Sequence, residues 1–210
     1  FHKCSKLKDI TFGNNLNYIG NSAFEGCGNL RGITLPDKVS SIGENAFMGC
    51  RNLSVVTLGN SLTQIAKSAF ENCVSLTSIT IPDGVTTIGE SAFYHCNGLT
   101  DIDLPDKVMN IEKNTFYGCE SLTAVNIGNG VKRVGYSAFE NCVSLVNITI
   151  SESVTSIGKD AFSGCKSLSN ITVSDDNSRF KSIDGNLYSK DGQTLMQYAV
   201  GKSDTEFTIP

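Results

Sequence analysis

The chain has 210 residues, 40% of them hydrophobic and 18% charged, with 17 Lys and Arg against 21 Asp and Glu for a net charge of −4. That length can bury a sizeable core, while a weakly acidic balance without basic runs argues against a nucleic-acid groove or an anionic membrane surface. No apolar run approaches the ~20 residues of a membrane span, and His2 and His95 are the only histidines, which leaves little for His-dependent catalysis or a His-rich metal site.

From the first residue the chain is periodic. Phe1-x-x-Cys4 recurs as Phe24/Cys27, Phe47/Cys50, Phe70/Cys73, Phe93/Cys96, Phe116/Cys119, Phe139/Cys142 and Phe162/Cys165, each 23 residues after the last. Three residues after each Cys stands Leu, from Leu7 to Leu168, followed by columns of Ile or Val (Ile10 to Ile171) and of further apolar residues (Phe12 to Val173). Eight cysteines in a short chain suggest a disulfide framework, but a fixed period of this size is the mark of a solenoid or array.

Within one repeat, Leu76-Thr-Ser-Ile-Thr-Ile-Pro82 alternates apolar and polar residues, which predicts a short half-buried strand. Pro82, or Pro36, Pro105, Gly13, Gly59 and Gly128 elsewhere, stops it. A second apolar pair, Val85-x-x-Ile88, leads to a turn at Gly89. The next column, Ser22, Asn45, Ser68, Ser91, Asn114, Ser137 and Asp160, holds only helix N-cap types, and Glu25, Glu71 and Glu140 stand three residues on as in a capping box. A single helical or 3₁₀ turn over Ala-Phe-x-x-Cys is therefore expected. Coils this short cannot bury an apolar face alone, so they stack, and eight rungs at ~4.8 Å give a rod of ~40 Å.

The L-x-x-I-x-I core resembles a leucine-rich repeat. Ile81-Pro82-Asp83-Gly84-Val85, Ile88-Gly89, Ala92-Phe93 and the Cys96 column resemble the BspA type of that family, from Phe1 to about Val173. Ala66 and Glu112 in place of the turn Gly, Thr115 in place of Ala, and Phe12 in an aliphatic slot depart from the pattern without breaking its core columns. The resemblance implies a mainly-β, right-handed solenoid with a parallel sheet on one face and short helical or 3₁₀ turns on the other. It also implies a cell-surface or secreted bacterial protein that adheres to a host matrix or microbial surface protein. No catalytic triad and no cofactor site is legible, and a non-enzymatic module is expected.

After Val173 the period fails. Ile209-Pro210 resembles Ile81-Pro82 but lies 36 residues beyond Val173, and Asn186 to Tyr198 reads as two strands about a Lys-Asp-Gly turn. The expected organisation is seven to eight repeats over 1–173, then an irregular long repeat with a hairpin over 174–210 that leads into a further repeat, the whole being a piece of a longer chain.

Three features are candidates for function. The cysteine column reads as core-filling free thiols: parallel stacking holds Cβ atoms ~5 Å apart, against the ~3.8 Å a disulfide prefers, and no C-x-x-C supports zinc. Pairwise bridges and a metal or redox role are the alternatives. The exposed strand column, Thr11, Thr34, Thr57, Thr80, Asp103, Asn126, Thr149 and Thr172, reads either as a solvated Thr ladder or as a partner-binding surface, with Asp101 and Asp103 too few for a calcium shell. On the turn edge Tyr94 and Tyr117 share a column, with His95 beside them and Tyr136 nearby; these side chains would anchor a protein or a glycan, or simply cover the flank. A rigid spacer without its own ligand and a carbohydrate-binding module are the rival functions.

Overall fold

The computed structural model describes residues 1–203 and Glu206; the strand start expected at Ile209-Pro210 lies outside them. The described residues form a mainly-β solenoid with parallel sheets, sixteen strands and no helix. Two rows of strands run along it. One row consists of two-residue strands drawn from the Val-x-x-Ile pairs: β1 (Tyr18–Ile19), β3 (Ser41–Ile42), β5 (Gln64–Ile65) and β6 (Thr87–Ile88) form one sheet, and β8 (Asn110–Ile111), β10 (Arg133–Val134) and β12 (Ser156–Ile157) another. The other row comes from the I-x-I segments and closes only in pairs. These are β2 (Gly32–Thr34) with β4 (Val55–Thr57), β7 (Asp101–Asp103) with β9 (Ala124–Asn126), and β11 (Asn147–Ile150) with β13 (Asn170–Val173). Every repeat pairing is parallel and offset by one period, as in Thr34↔Thr57 and Thr149↔Thr172.

Leu76–Pro82, the segment whose alternation is cleanest, forms no strand. Ile79 and Ile81 still turn inward and Ser78 and Thr80 outward. Alternation reports which side chains leave water, and that preference survives where the neighbouring backbones do not close a ladder.

The expected helical turn is also absent. Ser22, Asn45, Ser68, Ser91, Asn114, Ser137 and Asp160 adopt φ between 52° and 59°, in the left-handed region, so they cap nothing. The Gly, Asn or His just before each cysteine from Gly26 onward is left-handed as well, from Gly26 (φ 72°) to Gly164 (φ 72°). These two reversals send alternate N–H groups in different directions. In one coil Ala46, Met48 and Cys50 donate to the residue three back, while Asn45, Phe47 and Gly49 donate across to Lys67, Ala69 and Glu71 of the next coil. A helix would aim all of them along its own axis; this edge spends half of them on binding the next rung. The three cross-rung bonds repeat on every coil from Ser22 to Asn141.

Behind that edge lies the core. The Phe column stacks from Phe1 to Phe162 with centroids 5.3–5.8 Å apart and rings within 8° of parallel. Phe47, Phe70, Phe93, Phe116 and Phe139 are wholly buried. Phe12 packs edge-on to Phe24 at 5.8 Å, and Thr115 is tolerated in the Ala column because its hydroxyl donates to the Glu112 carbonyl at 2.9 Å. Beyond Val173 the chain turns antiparallel: β14 (Phe180–Ile183), β15 (Asn186–Ser189) and β16 (Leu195–Gln197) form one sheet with a bulge at Leu187/Tyr188. Buried Asn177 anchors its start, donating to the Ser151 and Val154 carbonyls and accepting from the Arg179 and Phe180 amides.

Candidate recognition surfaces

Each cysteine from Cys27 to Cys165 sends its thiol back to the Phe carbonyl of the preceding coil, at 3.0–3.2 Å. The same carbonyl accepts an amide of its own turn, as Phe47 does from Cys50. The thiols are free, and the column is a ladder of weak hydrogen bonds as well as small apolar filler. Burial, reinforced by neighbouring thiols, pushes Cys73, Cys96, Cys119 and Cys142 well above the ordinary range. Burial likewise lifts Cys50 and Cys165 to about 12. Thiols so hard to ionise are poor nucleophiles and poor metal ligands at neutral pH. Only Cys4 is exposed.

The strand row presents its predicted column to solvent: Thr11, Thr34, Thr57, Thr80, Asp103, Asn126, Thr149 and Thr172 are all exposed, as is Asp101. The hydroxyl ladder of the molecule lies elsewhere. At the entrance to each row Ser54, Thr100, Thr123 and Ser169, and Ser40, Thr63, Thr86 and Thr155, donate to a carbonyl one coil back. In the facing column, by contrast, only Thr172 and Asn126 among the described residues take part in side-chain hydrogen bonds, accepting from Asn170 Nδ2 and the Gly128 amide. Val55, 61% exposed, adds an apolar point beside Thr34 and Thr57 that composition alone did not single out. Asp101 accepts from Thr100 at 3.3 Å, and no group of three or more His, Cys, Asp or Glu side chains able to hold a metal ion occurs among the described residues.

On the turn edge the structure brings Tyr94, His95 and Tyr117 together and leaves Tyr136 apart. The tyrosine rings stack at 4.9 Å and 12°, and His95 meets both edge-on, at 4.5 and 5.5 Å. His95 itself is left-handed at φ 53°. Its ring occupies the space over Gly118, where a Cβ would come within 2.4 Å of Nδ1. Asn141 Nδ2 donates to the Tyr117 hydroxyl at 3.1 Å. Tyr136 belongs to another column and carries Lys113 Nζ over its ring at 5.9 Å. Burial, then Tyr117 and the carboxylates of Glu71 and Glu140, raise the Tyr94 hydroxyl. The sequence offers Glu71 and Glu140 only as capping-box partners, a role the left-handed Ser68 and Ser137 rule out; their positions, 23 residues before Tyr94 and after Tyr117, place them in the tyrosine column instead.

The fold and its edges define a solenoid of leucine-rich repeats whose strand row and turn edge each present a column of side chains to solvent. Matching the BspA type leucine rich repeat region model in six copies over residues 1–100 and 86–196, the chain belongs to that family. It is similar to a leucine-rich repeat protein of T. pallidum, 35% identical with a TM-score of 0.68, which covers 72% of this chain and 71% of that one. It is also similar to a leucine-rich cell surface protein of Faecalibacterium prausnitzii A2-165, 34% identical with a TM-score of 0.85 over 96% of this chain and 55% of that one. The pneumococcal vaccine antigen PcpA, 24% identical with a TM-score of 0.62 over 96% of this chain and 47% of that one, shares the fold. The chain thus spans about half the length of the latter two. No curated protein matches it. Among the described residues no helix is long and apolar enough to cross a membrane.

Proposed function

We propose that this chain is a non-enzymatic recognition module of a cell-surface or secreted protein, that it adheres to another protein, and that it does so through the strand row. The repeats over 1–173 supply the surface, and the irregular long repeat with its hairpin follows them over 174–210. The observation that carries the proposal is the contrast between hydroxyl columns. Those at the row entrances are consumed by carbonyls one coil back, whereas Thr34, Thr57, Thr80 and Thr149 are exposed and their hydroxyls have no hydrogen-bond partner among the described residues. A straight file of unused donors and acceptors about 5 Å apart suits a partner's extended surface. The description of the Faecalibacterium relative as a cell surface protein is in keeping with the location.

Binding of the purified protein to an array of host matrix and microbial surface proteins, beside Thr57→Lys/Thr80→Lys, tests this. Saturable binding lost in the variant, with an unchanged melting curve, is the expected outcome. Absence of saturable binding to any protein would leave the module a rigid spacer, a role its closed turn edge also suits.

A further inference from the structure

We propose that the column Glu71–Tyr94–Tyr117–Glu140 on the turn edge is a docking strip for an extended basic segment of a partner protein, with Lys or Arg at two positions four residues apart and an apolar residue midway. The proposal rests on the reading of the chain as a protein-recognition module but not on the strand row.

Along the solenoid this column otherwise holds His2, Glu25, Met48 and Ser163, so the two tyrosines and their flanking carboxylates are one contiguous block. The rings give one face each to the other, and both stand nearly perpendicular to His95. A sugar platform needs an open ring face; this pair offers a narrow half-buried ridge, suited to an apolar side chain. Neither Glu71 nor Glu140 forms an ion pair among the described residues. Lys67, four residues before Glu71, is held by Glu90 at 3.6 Å, and Lys113 lies over Tyr136. The ridge therefore ends in an unneutralised carboxylate on either side. Three ring steps of 5.4–5.5 Å separate the two carboxylate positions, about 16 Å in all. In an extended peptide, residues i and i+4 lie about 13 Å apart on one face with i+2 between them, and long basic stems cover the remainder.

Every other coil from Gly26 to Gly164 places Gly or Asn at the left-handed position before the cysteine, and the Tyr94 coil alone places a histidine there. Its ring is wedged against both tyrosines and made room for by Gly118. His95 shares the left-handed backbone of its counterparts at φ 53°, and its ring sets the local shape of the ridge.

The test is fluorescence anisotropy of the whole chain with a labelled Ser-Arg-Thr-Leu-Thr-Arg-Ser peptide and its Arg-to-Glu counterpart. The expected result is binding of the basic peptide only, weakened by salt. Glu71→Gln/Glu140→Gln should weaken it at least about fivefold, the worth of two half-exposed ion pairs. Thr57→Val/Thr80→Val should leave it unchanged, which separates failure of this strip from failure of the strand row. The Gln variant keeps side-chain volume, so its melting curve should match the wild type even if Tyr94→Ala/Tyr117→Ala unfolds. Equal binding of the acidic peptide, wild-type affinity in the Gln variant, or a tyrosine-dependent glycan signal without peptide binding would each overturn the proposal.

Discussion

The turn edge and the strand row of the same coils are held together differently. On the turn edge three backbone bonds cross to the next rung from Ser22 through Asn141 without a gap, backed by stacked phenylalanines and the thiol ladder. On the strand row the ladders close in pairs and skip Leu76–Pro82. Continuity along the axis therefore resides in the segment that the sequence predicts as a helical turn, and the row predicted as the sheet is freer to vary its outward residues. A closed polar ladder packed on an apolar stack leaves little tolerance at its own positions; a half-open row tolerates Thr, Asp, Asn or Val in one column.

Alkali should break the turn edge most completely. A thiol near 9 in the unfolded chain and near 12 in the fold, as for Cys50 and Cys165, makes the folded state hold its proton more tightly. That stability is fully present below about pH 9 and is lost as pH rises toward 12, at about 1.4 kcal/mol per pH unit for each such thiol. Urea midpoints should be flat near neutrality and collapse above pH 9. A midpoint unchanged at pH 10.5 would mean that the thiols ionise no harder in the fold than outside it.

Phe93→Ala comes next, at about 3–5 kcal/mol, because it opens a cavity in the ring stack. Ile79→Ala, on the row where no ladder closes, should cost about 2 kcal/mol, the low end for buried aliphatic truncation. Equal losses in parallel urea titrations would erase the difference between the two edges. Gly118→Ala is smaller, about 1–2 kcal/mol for a Cβ at φ 69°, plus whatever the displaced His95 ring adds. His95→Asn in the same background should recover only the steric part. Smallest is Thr57→Lys/Thr80→Lys, within about 0.5 kcal/mol of wild type, since both side chains stand in solvent. A larger drop in melting temperature would show that the Thr column stabilises the row.

Much of this was legible in the residues. The 23-residue spacing named the columns, and Phe, Leu and Cys are buried where their columns predict from Phe24 to Leu168. The turn was misread for a specific reason. Ser, Asn and Asp are favoured both as helix N-caps and, for Asn and Asp especially, in the left-handed region, and one coil's residues do not say which applies. The thiol ladder was invisible for a related reason: a small buried Cys looks the same whether or not its S–H has an acceptor, and the acceptor here lies 26 residues away. At the tyrosine edge the shared column of Tyr94 and Tyr117, and with it their stacking, was visible, whereas the His95 wedge over Gly118 was not.

By itself, then, the sequence determined the period, the stacking of coils and the identity of each inward column, because burial of apolar side chains depends on local spacing and repeats with it. Only the tertiary structure decided how the turn is shaped, which row closes its ladders and where the thiols point. Those outcomes depend on hydrogen bonds between coils one period apart, and such bonds exist only once a neighbouring coil is in place to accept them.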